Sequence, residues 1–425
     1  MRFLYSLFIL IYACLIKTAS LFSKKAKLWR NGRKNVFRKL EEKCADKKNI
    51  YWFHCASLGE FEQGKPLMEK INLSEQNATL LLTFFSPSGF EIKKNDPVAD
   101  IISYLPIDTP KNAKKFIHIV KPQKVFFIKY EFWYNYMHEL FTANIPFYYV
   151  SAIFRENQYF FKNYGKWFLN QLKQCSFFFL QNENSKKILN QYGITNASVT
   201  GDTRFDRVYD IAHQNYSLDF ILSFKNEKKL LVAGSTWMPD EKLLSELFQK
   251  IQTGYKLVIA PHLIEKNHIE QIKKLFSSFS VVCFSEKEKK NLSNDQIMII
   301  DTIGILSKIY KYADIAYIGG AFKTGLHNIL EAAVFEKPIF FGPHYQKFNE
   351  AVDLVQKGAA FSITNANEMA QQMYVLQENP AHYHAVCETC KNYVAQNLNA
   401  THKILKILNF ELYIPSVETD GNKKP

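Results

Sequence analysis

No G-x-x-x-x-G-K-S/T loop occurs anywhere in the 425 residues, and no G-x-G-x-x-G follows a strand. A P-loop ATPase and a plain dinucleotide-dependent dehydrogenase are thereby disfavoured. Cysteine is scarce: seven residues, an odd count at scattered positions, do not make a disulfide framework. The chain reads as one kept in a reducing compartment. Cys387 and Cys390 form a lone C-x-x-C with no second pair, so ordinary thiols on a helix explain them better than zinc or redox chemistry. His, Asp and Glu do not cluster at metal-ligand spacing, and neither a metal nor another cofactor is expected. Acidic residues are in deficit, 40 against 54 basic ones, for a formal charge of +14. Zinc-finger, RNP-like and helix-turn-helix patterns are missing too, which argues against nucleic acid as the partner of that charge.

What is present begins with an apolar run from Phe3 to Ile16, interrupted by Lys17 and resumed over Ala19 to Phe22. Its fourteen clean residues fall short of the ~20 needed to cross hydrocarbon, although Lys17 can snorkel and lengthen the span. Lys24, Lys25, Lys27, Arg30, Arg33, Lys34, Arg38 and Lys39 follow at once, and such a cluster keeps the downstream chain on the cytoplasmic side. Residues 3–22 are therefore expected to tether a cytoplasmic body to an anionic membrane surface.

With 47% hydrophobic and 15% aromatic residues the chain can bury large cores, and at about 150 residues per domain it holds two or three. Short apolar runs recur at Tyr51–His54, Thr79–Phe85, Ile101–Leu105, Val125–Ile128, Phe147–Val150 and Phe177–Leu180. They recur again at Leu230–Ala233, Leu257–Ala260, Val281–Phe284, Ile297–Ile300, Ile315–Ile318 and Ile339–Phe341. Amphipathic stretches separate them, the mark of parallel α/β sheets. The expected division is an anchor with its basic segment over 1–40, an α/β domain over 41–212, a polar linker over 213–228, a second α/β domain over 229–415 and a tail over 416–425. Two such halves are expected to face a cleft lined by their strand C-termini.

Residues suited to chemistry sit at those strand ends. Ser57-Leu58-Gly59-Glu60 follows the first strand, placing a carboxylate where a general base would meet a ligand. The same spacing also fits a helix-capping box with Ser57 as cap. Glu131 follows the fourth strand among Phe132, Trp133 and Tyr134, which would exclude water around it; the same residues equally fit an interfacial aromatic patch with an incidental acid. Arg204, in Gly201-Asp202-Thr203-Arg204, suits an anionic substrate, and equally suits pairing with Asp202 or Asp206. Gly234-Ser235-Thr236-Trp237 offers N–H groups and hydroxyls either to a phosphate or as a helix cap. From Asp314 to Glu350 run a strand, Gly319-Gly320, a small-residue loop, and His327 to Glu331 opening a helix. That helix opening suits phosphate, and Glu331 suits ribose hydroxyls.

Taken in order, His54 to Glu60, Lys129 to Asn135, Gly201 to Asp206, Gly234 to Trp237, Asp301 to Gly304 and Gly319 to Glu331 resemble the 3-deoxy-D-manno-octulosonic acid (Kdo) transferase family of lipid A synthesis. The resemblance covers residues 1 to about 365. It implies a GT-B fold of two Rossmann-like domains, and a metal-independent inverting transfer of Kdo from CMP-Kdo to the lipid A precursor, lipid IVA, at the cytoplasmic face of the inner membrane. It further implies Glu60 as the base that deprotonates the acceptor hydroxyl, with Glu131 and Arg204 supporting the transition state. Nucleotide contacts implied by it fall on Pro261 and His262, on Ile303, Gly304 and Ile305, and on Asn328, Ile329, Leu330 and Glu331. His262 stands where the family usually has arginine, Arg204 where lysine is common, Tyr134 where proline is usual, and Ile305 where an acid is usual. Competing expectations are a GT-B transferase using a UDP-sugar, a nucleotide-sugar epimerase of the same fold, and a non-catalytic membrane-surface scaffold.

Overall fold

A computed structural model describes residues 1–410 apart from 76, 252–253, 290–291 and 324. Two helices open the chain, α1 (Arg2–Ala19) and α2 (Lys24–Gly32). Seven strands follow: β1 (Ile50–Cys55), β2 (Thr79–Phe84), β3 (Ile101–Tyr104), β4 (Lys124–Ile128), β5 (Phe147–Ala152), β6 (Phe177–Leu180) and β7 (Ala197–Val199). Seven more are β8 (Lys229–Thr236), β9 (Tyr255–Pro261), β10 (Val281–Cys283), β11 (Ile297–Ile299), β12 (Ile315–Ile318), β13 (Ile339–Phe341) and β14 (Ala360–Ser362). The chain divides into two compact units, Met1–Arg207 with the chain from Leu398, and Val208–Asn397.

In the first unit the strands run in parallel in the order β3-β2-β1-β4-β5-β6-β7. Successive residues of each strand feed opposite faces. Trp52, Phe127, Tyr149 and Phe178 enter one buried cluster, while Phe53, Phe126, Val150 and Phe179 enter another. The abundant aromatics are spent as cross-strand ladders. Phe127 stacks on Tyr149 and Tyr149 on Phe178, each at 5.4 Å, and on the other face Phe53 stacks on Phe126 at 4.6 Å. Burial on both faces is why these strands read as unbroken apolar runs. The chain leaves β3 and re-enters the sheet beside β1 as β4, so the strand order reverses between β1 and β4. In open α/β sheets ligands bind at such a reversal.

The C-terminal helix Ala400–Ile407 joins this first unit rather than the second, unlike the expected 229–415 domain. Ile404, Leu405 and Phe410 lie in the Phe53 cluster, and Asp206 accepts the Asn399 and Thr401 N–H groups at 2.7 and 2.6 Å. Residues 213–228, expected as a linker, include the helix Asp219–Lys225 with Ile221 and Phe224 buried in the second unit.

The second unit repeats the plan with the parallel order β10-β11-β9-β8-β12-β13-β14, reversing between β8 and β12. Gly319 follows β12 beside β8, where a Cβ would lie 2.4 Å from the Ser235 carbonyl oxygen and 2.6 Å from the Thr236 Cα. Gly319→Ala is therefore expected to destabilise the fold by about 1–3 kcal/mol, read as a lower thermal midpoint.

Candidate active site

In the first unit every candidate residue lies at a strand C-terminus. Beyond β1 the helix Leu58–Ser74 begins with Ser57 at its N-cap, and the Ser57 side chain makes no cap hydrogen bond. Its hydroxyl instead donates to the Glu60 carboxylate. The capping-box geometry is thus not formed, and Ser57 holds the half-buried Glu60 side chain at the strand end.

Glu131, across the sheet reversal, accepts the Trp133 indole N–H at 3.0 Å through Oε2. The same oxygen lies 3.5 Å from Nε2 of His54, whose side chain is fully buried. His54 Nδ1 is 2.9 Å from the Thr83 hydroxyl, which also receives the Trp52 indole N–H at 2.7 Å. The Thr83 hydroxyl also donates to the Phe53 carbonyl at 3.3 Å, and His54 Nε2, facing Glu131, makes no hydrogen bond among the described residues. The buried Cys55 thiol is pushed well above its usual range, first by burial and then by the Glu60 and Glu131 carboxylates. Both acids therefore act on the same end of β1.

Arg204 is bound at its base by Asp202. Nε and Nη2 donate to Oδ2 at 2.9 and 2.7 Å, and the Arg204 N–H donates to Oδ1 at 2.9 Å. Gln63 from the helix Leu58–Ser74 donates to the same Oδ1 at 2.8 Å. Burial pushes the Asp202 carboxyl up, but the Arg204 charge and these hydrogen bonds outweigh it and hold the group below its usual range. Of the two pairings the sequence allowed, Asp202 is the one made, and Asp206 serves the C-terminal helix.

In the second unit the loops after β8, β9 and β12 converge. Ser235 adopts a left-handed φ of 54°, and a Cβ at Gly234 would collide with the Tyr310 hydroxyl. Asp240, buried, accepts the Trp237 N–H at 2.8 Å, the Gly320 N–H at 3.0 Å and the Tyr317 hydroxyl at 2.7 Å. The Thr236 hydroxyl donates to Glu241 at 2.9 Å. At Trp237, then, the backbone donor expected for either a phosphate or a cap is used as a cap, and Asp240 ties β8 to the Gly319-Gly320 turn.

Pro261 ends β9 and His262 follows, its ring stacked on Trp237 at 4.7 Å and on His327 at 4.6 Å. The Trp237 indole N–H donates to His327 Nε2 at 3.2 Å. Burial lowers both imidazoles, and proximity to His262 lowers His327 further, to about 4. A pH-dependent cation at 262 is therefore not available near neutrality. Since folding favours the neutral His327 ring, its contribution to stability is complete above about 6.5 and declines as pH falls toward about 4. The thermal midpoint of a His327→Gln variant should lose that acid-side dependence, and imidazole proton resonances of the native chain should show His327 untitrated at pH 6.5.

The expected helix opening at His327 does not form. The helix is a single turn, Leu330–Ala333, and the Asn328 side chain accepts the Leu330 N–H at 3.3 Å while donating to Glu331 at 3.2 Å. The Leu330 donor expected for phosphate is thus occupied locally. Gly304 is left-handed at φ 99°, Ile303 is exposed, and Ile305 precedes the turn Leu306–Ile309. Among the described residues no three His, Cys, Asp or Glu side chains cluster as a metal site.

The His54–Thr83–Trp52 column, the Ser57–Glu60 contact, the Trp237–His262–His327 stack and the Asp240 hub escape a reading along the chain. One signal was present: Thr83 is a single hydroxyl inside the run Leu80-Leu81-Leu82-Thr83-Phe84.

A family model described as 3-deoxy-D-manno-octulosonic-acid transferase matches residues 30–207. The chain is 26% identical over 335 residues to a 3-deoxy-D-manno-octulosonic acid transferase of Aquifex aeolicus, covering 77% of this chain and 85% of that one. It is 26% identical over 361 residues to a bifunctional glycosyltransferase/methyltransferase of Fusobacterium nucleatum, covering 80% of this chain but spanning only 55% of that relative's length. Among solved structures, a UDP-GlcNAc 2-epimerase from Neisseria meningitidis bound to UDP-GlcNAc aligns with a TM-score of 0.61 at 16% identity, over 85% of this chain and 100% of its own. At that identity the likeness is one of fold, GT-B.

Proposed function

We propose that this chain, similar to Kdo transferases over most of its length, moves Kdo from CMP-Kdo to the lipid A precursor, lipid IVA, in lipopolysaccharide biosynthesis. The acceptor hydroxyl loses its proton to Glu60 as its oxygen attacks the anomeric carbon of Kdo, and the bond from that carbon to the CMP phosphate breaks. One displacement of this kind inverts the configuration. The observation that carries the reading is Glu60, seated by Ser57 at the C-terminal end of β1 in the segment the family model matches. A carboxylate accepting one hydrogen bond keeps a lone pair for the acceptor proton while the Ser57 contact selects its rotamer.

Glu131 and Arg204 take the roles of supporting the oxocarbenium-like charge on the sugar and orienting its carboxylate. Their rigid backing suits them: His54 and Trp133 for one, Asp202 for the other. In the second unit Gly234, Ser235, Thr236, Pro261, His262, Ile303, Gly304, Ile305, Asn328, Ile329, Leu330 and Glu331 hold the nucleotide. The stacked Trp237–His262–His327 rings border that set, and Glu331 accepts from ribose hydroxyls. No metal takes part. The body works at the cytoplasmic face of the inner membrane.

Purified protein incubated with CMP-Kdo and lipid IVA should release CMP and form Kdo-lipid in equal amounts. CMP release without product, or turnover of UDP-GlcNAc in place of CMP-Kdo, would replace this reading with hydrolysis or with the epimerase chemistry of the fold's other members.

A further inference from the structure

Lys129 follows the last residue of β4, at the reversal of strand order where an open α/β sheet takes its ligand. Its backbone is left-handed, with φ 68°. In that conformation the Cβ of an L-residue crowds the following carbonyl, a cost that glycine escapes and asparagine offsets with its short polar side chain. Half of the described non-glycine residues with positive φ are asparagines. Lys121, the other lysine among them, ends the helix Pro110–Val120, where a cation meets the negative pole of the helix. Neither account covers Lys129. Its N–H donates to the Val150 carbonyl at 2.9 Å, so β5 holds the turn in place. The turn explains the conformation, and glycine would make it with less strain; it does not explain a lysine side chain.

That side chain is half-buried, with its ammonium 4.9 Å from the Tyr130 ring centroid. Among the described residues it makes no ion pair and no side-chain hydrogen bond. Arg204, a second cation of this edge, is instead tethered, giving Nε and Nη2 to Asp202. The two cations share a support. Ser151, next after Val150 in β5, accepts the Thr203 N–H at 3.3 Å and so fastens the residue before Arg204 to the strand that holds Lys129. Glu131 stands two residues on, backed by Trp133. A strained cation partly withdrawn from water, with no counter-ion of its own, suits an oxyanion brought by a ligand.

We propose that Lys129 is a substrate-binding residue whose ammonium takes an oxyanion at the reversal between β1 and β4, the carboxylate of Kdo or an anionic group of the lipid acceptor. The proposal rests on the transferase reading and adds a residue to it. The native chain, Lys129→Gly and Lys129→Arg are compared by thermal midpoint and by equilibrium binding of CMP, CMP-Kdo and lipid IVA. Lys129→Gly relieves the backbone while removing the cation, so its midpoint should equal or exceed the native one. One of the two substrates should nevertheless bind it about 10–100-fold more weakly, and Lys129→Arg should recover most of that affinity. Loss confined to CMP-Kdo assigns the sugar carboxylate, and loss confined to lipid IVA assigns the acceptor. CMP alone should bind all three chains alike. Unchanged affinity of Lys129→Gly for both substrates, or weaker binding accompanied by a lower midpoint, would overturn the proposal. A native chain that binds neither substrate would overturn the transferase reading, and this proposal with it.

Discussion

Glu60→Gln should reduce the rate of Kdo transfer by about 10²–10⁴-fold with little change in donor affinity. The amide keeps the shape and still accepts from Ser57, but it cannot take the acceptor proton. Single-turnover rates with CMP-Kdo and lipid IVA, together with CMP binding, separate the two effects. Ser57→Ala serves as the graded control: it frees the Glu60 rotamer without removing the base, so a smaller loss is expected. Equal turnover in Glu60→Gln and the native chain would remove Glu60 from the mechanism.

Asp202→Ala should be the most damaging substitution to stability in the first unit, costing about 3–5 kcal/mol where a domain holds about 5–15 in total. Asp202 is buried, and its loss leaves the Gln63 amide, the Arg204 N–H and the Arg204 guanidinium without their acceptor. Urea unfolding monitored by tryptophan fluorescence measures it. The pH dependence has a definite sign. A carboxyl whose folded value is depressed contributes fully above its unfolded value, near 3.8, and that contribution is lost as pH falls through the folded value. The native chain should therefore lose stability on acidification, while the Asp202→Ala chain loses less. Arg204→Lys retains the charge but not the two-point contact, and is expected to fall between them.

Much of the fold was legible along the chain because doubly covered parallel strands need continuous apolar residues. Phe177–Leu180, Ile315–Ile318 and Ile339–Phe341 appear as strands with the same bounds in sequence and structure. β14 was not legible: Ala360-Phe361-Ser362 is a short edge strand with one side outward, so it carries no apolar run. The helix expected to open at His327 begins three residues later, at Leu330, because Asn328 satisfies the Leu330 N–H. Capping at Ser57 was misleading for a related reason. Spacing alone does not say whether a hydroxyl turns to the backbone or to the carboxylate three residues on.

By itself the sequence determined the alternation of strands and helices, the family resemblance, and the placement of Glu60, Glu131 and Arg204 just past strand ends. These follow from local patterns, since a residue after a parallel strand is delivered to the C-terminal edge of its sheet whatever the rest of the chain does. Only the tertiary structure decided what each of those residues leans on. Glu131 meets His54 and Trp133, Arg204 meets Asp202 under Gln63, and α1 lies along its domain through Arg2 and Tyr5. The physical reason is range: hydrogen bonds and packing act over a few ångströms between residues as far apart in sequence as Gln63 and Asp202, and no local pattern encodes which distant partner arrives.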